Sequence, residues 1–193
     1  MISHYIFNKS KKRSIIFLHG IHANSGFWLP YIRAFKCFKL ILVDIDYICF
    51  IRSNTSVESI NQYLKEFDLY NDCTAIVSHS FGTVISSQIN LANSITKFEI
   101  SPVYFSQRNF TTEFTKEMAS LLQIHQDRVL ADLILVDKYI DSVKLNSEIN
   151  GVRLLPKEDV FFKFKFDCEE NIFFSGDHFN IDKAIVIIAN KLD

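Results

Sequence analysis

Three short apolar runs limit what this chain can fold into. Ser14–His19 (SIIFLH), Leu40–Asp46 (LILVDID) and Thr74–His79 (TAIVSH) are continuous rather than strictly alternating. A strand that is apolar along its whole length is buried on both faces, the habit of a parallel sheet covered by helices. Lys97–Ser101, Val152–Leu155 and Asn171–Ser175 are further candidate strands, and His4–Lys9 alternates like an edge strand. Helical stretches fall between them. Val57–Leu69 places Val57, Ile60, Leu64 and Phe67 on one helical face, Phe81–Ala92 follows its strand without a break, and Ile181–Leu192 carries an apolar stripe. The pattern predicts an α/β fold with a mostly parallel central sheet flanked by helices. In such sheets ligands bind beyond the carboxyl ends of the strands, so candidate chemistry is sought there.

With 193 residues, 48% of them hydrophobic, and no repeat or Gly/Ser linker, the chain reads as one domain with a substantial core. A formal charge of −1 gives no electrostatic support for nucleic-acid binding. No apolar run approaches a membrane span, and the first residues do not have the basic-then-apolar order of a secretory signal. The expectation is therefore a cytoplasmic protein, a monomer or weak oligomer, with no membrane or nucleic-acid partner. Cys37, Cys49, Cys73 and Cys168 are widely spaced with no CxxC pair and read as reduced thiols.

The segment Ser78-His79-Ser80-Phe81-Gly82 directly follows the run TAIV and opens a helical stretch. Strand, sharp turn and helix are the setting in which a serine hydroxyl is projected above a sheet. Small residues are required on either side because strand and helix approach closely. Gly82 supplies one, and Ser78 stands where a glycine is usual. The helix after Ser80 offers free N–H groups to developing negative charge, and the Phe81 N–H is a natural oxyanion donor. The bland alternative is a helix N-cap with no chemistry.

A nucleophilic serine needs a base of near-neutral pKa within reach. Of six histidines, His178 comes just after the run NIFFS in the loop Gly176–Phe179, which places it on the rim expected for Ser80. His79 neighbours the serine, but its side chain is expected to project away from the hydroxyl. His125 reads as helical and His4 as part of an edge strand. For the acid that orients the imidazole, Asp159 follows VRLL on the same rim. Glu158 is the adjacent alternative, Asp137 a third, and Asp44 and Asp46 follow an earlier strand.

These residues resemble the α/β-hydrolase superfamily over most of the chain. Ser80, Asp159 and His178 occur in that family's order of serine, acid and histidine. Ser14–Trp28 (SIIFLHGIHANSGFW) is similar to its strand and His-Gly loop, and Gly176–Leu192 to its histidine loop and closing helix. The resemblance implies Ile21 as the second oxyanion donor beside Phe81, and His22 and Trp28 as residues near substrate, core packing being the other reading of Trp28. It also implies a short cap within residues 104–150, where Phe110, Phe114, Met118, Leu121, Leu122 and His125 make a stripe at helical spacing.

The implied reaction is hydrolysis of a carboxylic ester or thioester through an acyl-serine, with no cofactor or metal. The substrate is a small-molecule or acyl-carrier-linked ester. Compact members of the family include methyl esterases acting on pimeloyl-acyl-carrier protein in biotin synthesis, and the His-Gly loop with Asn24 and Trp28 looks somewhat similar. Charges in or near the expected cap are mixed: Arg108, Lys116, Arg128, Lys138 and Lys144 stand among Glu113, Glu117, Asp127, Asp132, Asp137 and Asp141. The competing readings are a non-catalytic small-molecule binding module on the same fold and a hydrolase of carbon–carbon or peptide bonds.

Overall fold

The computed structural model describes residues 1–89, 94–108, 112–143, 151–159, 162–164 and 171–193, with only the main chain described at 105–108, 112–113 and 163–164. Seven strands form one sheet in the order β1-β3-β2-β4-β5-β7-β9. They are β1 (Ile2–Phe7), β2 (Ser14–Leu18), β3 (Lys39–Ile45), β4 (Cys73–His79), β5 (Thr96–Ile100), β7 (Gly151–Pro156) and β9 (Asn171–Phe174). Only β1 runs antiparallel, at the edge beside β3. A second, two-stranded sheet pairs β6 (Ser106–Arg108) with β8 (Phe162–Phe164).

Side chains alternate across the sheet and make two cores. Ile16, Leu18, Ile41, Val43 and Ile76 face one side. There they meet α1 (Tyr47–Arg52), α2 (Val57–Glu66), α3 (Phe81–Gln88), α4 (Thr112–Leu122) and α5 (Gln126–Ser142). Ile15, Phe17, Leu40, Leu42, Ala75 and Val77 face the other side. They pack on the 3-10 turns of Ser25–Phe35 and on α6 (Asp182–Leu192). Continuous apolar strands thus serve two layers at once, and each fully buried Leu or Ile contributes about 1.5–3 kcal/mol.

Several boundaries differ from the sequence expectation. Helix α2 stops at Glu66, and Phe67 lies beyond it, 53% exposed, its ring against His4 and Tyr63. Helix α3 stops at Gln88 because Ile89 turns extended and the Lys97 ammonium binds the carbonyls of Ser86 and Ile89. His125 is not within a helix. It is the exposed N-cap of α5, which breaks the expected stripe. Phe110, Lys144 and Cys168 lie outside the described residues, as do the side chains of Arg108 and Glu113. No described helix is long and apolar enough to cross a membrane.

The chain runs from β2 outward to β3, then crosses back to lay β4 on the other side of β2. The loops leaving β2 and β4 therefore diverge and leave a crevice at their carboxyl ends, where open α/β sheets bind ligands.

Candidate active site

Strand β4 ends at His79, and Ser80 turns the chain with φ 52° and ψ −123°. That conformation costs a residue with a side chain about 1–3 kcal/mol and persists only where its surroundings impose it. Here the Ser80 N–H donates to the Ile100 carbonyl at 3.0 Å, carrying the β4–β5 pairing one residue past the strand. The Thr83 hydroxyl closes the turn by donating to the Ser80 carbonyl at 2.6 Å. Ser78 is fully buried, and its hydroxyl donates to the Phe98 carbonyl at 3.3 Å. Gly82 has no alternative: a Cβ there would lie 2.5 Å from the His19 carbonyl oxygen. At Gly20 a Cβ would approach Ser80 Cβ to 3.0 Å, so the loop after β2 rests directly against the turn at Ser80.

The other half of the site comes from β7 and β9. Their pairing continues past the strand ends, with the Lys157 N–H on Phe174 O and the Glu158 N–H on Gly176 O, both at 3.0 Å. This brings the loop carrying Asp159 beside the loop carrying His178. The His178 Nε2 lies 2.9 Å from Ser80 Oγ, and its Nδ1 lies 3.0 Å from Asp159 Oδ2. An ionised carboxylate only accepts, so Nδ1 carries the proton and Nε2 is free to receive the serine proton. The Phe162 N–H donates to Asp159 Oδ1 at 2.9 Å, and the Phe162 ring stacks on the imidazole with centroids 4.5 Å apart. Ser80 and His178 are buried, and only 1% of the Asp159 side chain is exposed.

The other candidate acids are occupied elsewhere. The Glu158 carboxylate accepts from the Gly176 N–H and, at 3.3 Å, from the Ser175 hydroxyl, clasping the histidine loop from outside. Asp137 lies inside α5 rather than after a strand. Asp44 accepts from Ser25, and Asp46 caps α1 through the Cys49 N–H.

Two roles were not apparent from sequence. His79 stays at the site: it lines the cavity shared with Ser80, and its Nε2–H donates to the His178 carbonyl at 2.8 Å. Its ring stacks on Phe27 with centroids 4.7 Å apart, and burial lowers its pKa to about 3, so it stays neutral. Strand parity carried the signal, since Ala75, Val77 and His79 share one face, the face of α6 and its preceding loop. Phe162 gave no such signal, because its pairing with β6 is a tertiary event.

Beside Ser80 opens a cavity of about 170 Å³. Its walls include Phe114 and Met118 from α4, Leu133 and Val136 from α5, and Phe162 and Phe179. Among the described residues no Lys, Arg, Asp or Glu lines it. Ile21, His22 and Phe81 also reach its surface. Trp28 does not. It is 1% exposed and packed against Phe17 and Phe27 in the core, which corrects the expectation that it meets substrate.

No protein-family model matches the chain, and no curated protein matches it in sequence. Solved structures do. A lipase-esterase related protein from Clostridium acetobutylicum superposes over 100% of this chain and 98% of its own, with TM-score 0.67 and 13% identity. The NocB thioesterase domain, solved as a covalent complex with a fluorophosphonate nocardicin G analog, covers 98% and 97% at TM-score 0.69 and 8% identity. The Cif epoxide hydrolase from Acinetobacter nosocomialis covers 100% and 85% at TM-score 0.64 and 16% identity. Identities this low speak for architecture alone, and with the sheet order and the turn at Ser80 they give the conclusion that this chain has the α/β-hydrolase fold.

Proposed function

We propose that the protein is a serine hydrolase that cleaves carboxylic esters or thioesters with an apolar acyl group. One observation carries the reading: Ser80, held at φ 52°, has its hydroxyl 2.9 Å from a buried imidazole that is itself 3.0 Å from a buried carboxylate, at the mouth of an apolar cavity. An N-cap needs none of that convergence.

Ser80 Oγ attacks the carbonyl carbon while His178 Nε2 takes its proton. The tetrahedral oxyanion is held by the N–H groups of Phe81, at the first turn of α3, and Ile21, in the loop pressed against Ser80. His178 returns the proton to the leaving alcohol or thiol, then activates water to release the acid and restore Ser80. Asp159 keeps the imidazole in the required tautomer and stabilises its charged form. Every step uses side chains and main-chain groups of this chain. The similarity to esterases and thioesterases supports the reaction class, and the apolar walls support an uncharged acyl chain.

Within this reading, α4 and α5 form a short cap whose inner face selects the acyl chain. A finer form names the substrate as a carrier-linked methyl ester such as pimeloyl-acyl-carrier protein methyl ester, its methylenes lying along those walls. The test is labelling by a fluorophosphonate probe, followed by p-nitrophenyl esters of increasing acyl length with a carrier-linked methyl ester alongside. Stoichiometric labelling of wild type and none of Ser80→Ala is expected. Unlabelled wild type would leave the fold as a binding module. Turnover of the free esters with none of the carrier-linked one would remove the finer form alone.

A further inference from the structure

Two residues beyond Gly20, His22 holds a left-handed backbone with φ 57°. That backbone is uncommon for a residue with a side chain, histidine being among those that adopt it more readily. Its imidazole forms part of the wall of the apolar cavity and of a neighbouring one lined by Asp44, Asp46 and Tyr47. Its Nε2 is buried without a hydrogen-bond partner and lies 3.8 Å from Asp132 Oδ2. Asp132 stands on α5 and is 2% exposed, and its other oxygen accepts from Arg52 of α1 at 2.7 Å. The carboxylate is thus pinned on one side and turns its free edge toward the imidazole. Burial lowers the His22 pKa ahead of the opposing pull of Asp132, so the ring is a neutral dipole beside a fixed charge. In a buried setting that attraction is not screened as it would be in water.

Resting on the reading of Ser80 as nucleophile, we propose that Asp132 and His22 form a positioning pair that fixes the loop bearing the Ile21 N–H against Ser80. The pair ties three elements together: the loop after β2, α1 through Arg52, and α5, which also walls the cavity through Leu133 and Val136. Neither side chain touches the reacting atoms. Their effect falls on the aim of an oxyanion donor, and so on kcat rather than on KM.

The experiment measures kcat and KM for a p-nitrophenyl ester, and Tm, in wild type, Ser80→Ala, His22→Ala, His22→Gln and Asp132→Asn. His22→Ala and Asp132→Asn are expected to lower kcat about tenfold or more with KM within about twofold, the loss expected of a misaimed donor. His22→Gln, whose amide nitrogen reaches the place of Nε2, is expected to recover most of it. A lowered Tm with normal kcat in His22→Ala, a rise in KM alone, or no recovery in His22→Gln overturns the pair. If Asp132→Asn does not fold, the two His22 variants decide, since they leave the Arg52–Asp132 contact intact. Ser80→Ala separates the two levels: full activity there ends the nucleophile reading itself, whereas an inactive Ser80→Ala beside a normal His22→Ala ends only the positioning pair.

Discussion

Two buried polar clusters sit a few residues apart on this sheet, and they differ in kind. One is Ser80, His178 and Asp159. The other is Glu99 on β5, which pairs in register with Arg153 on β7 and accepts a hydrogen bond from Tyr104. Glu99 is fully buried, and burial pushes its pKa up to about 7, against the opposing effects of Tyr104, Arg153 and Lys97. By burial and perturbation alone, Glu99 would attract more attention than Asp159. Yet Glu99 and Arg153 lie within the strands, and none of Glu99, Tyr104, Arg153 or the left-handed Ser101 that follows β5 lines the cavity beside Ser80. The first cluster is assembled from loops beyond the strand ends and opens on that cavity. A perturbed buried carboxylate marks a constraint; convergence on a projecting nucleophile marks chemistry.

The largest test of that contrast is Ser80→Ala, expected to lower ester turnover about 10⁵–10⁶-fold while Tm stays near wild type. Retained turnover would erase the difference between the clusters. Asp159→Asn comes next, with a loss of about 10⁴-fold in kcat because the imidazole is no longer held in the right tautomer. Glu158→Gln, which touches the loop but not the imidazole, should lose far less. Equal losses would show that the loop clasp matters as much as the acid.

His79→Phe sharpens the boundary of the first cluster. It keeps the stack on Phe27 but removes the hydrogen bond to the His178 carbonyl, and kcat should fall about tenfold through misplacement of the base. His79 also carries a pH signature. Its folded pKa of about 3 lies below its ordinary 6.5, so the stability from burying it neutral is present above 6.5 and is lost as pH falls toward 3. In His79→Phe that part of the acid decline in Tm should flatten.

The smallest expected effect on activity is that of Glu99→Gln, with turnover within about twofold of wild type. Its effect belongs to stability, with the opposite sign. A carboxyl whose pKa rises from 4.5 to about 7 on folding contributes stability that is present below 4.5 and lost as pH rises through 7. Tm measured between those limits should lose this slope in the variant. A large fall in kcat would move Glu99 into the first cluster and break the comparison.

The legibility of the site followed the range of the interactions that build it. The turn at Ser80 was readable because strand, small residues and helix are contiguous, and each leaves a local mark from TAIV to Gly82. His178 was readable as a loop residue on the same rim. Asp159 and Glu158 were indistinguishable as neighbours in sequence. What separates them is that one side chain turns inward to the imidazole and the other outward to the Gly176 N–H. Trp28 was drawn toward the pocket by its place after the His-Gly loop, yet the 3-10 turns of Ser25–Phe35 bury it against Phe17.

By itself the sequence determined the layers: apolar runs long enough to be buried on both faces, helices of matching period, and a small-residue turn where one strand becomes a helix. These are local properties, set by periodicity and steric demand within a few residues. Only the tertiary structure decided which carboxylate meets His178, that His79 donates to the His178 carbonyl, and that Asp132 faces His22 from a helix more than a hundred residues away. Such contacts depend on where separate elements are brought to rest, and no short stretch of chain carries the information that places them.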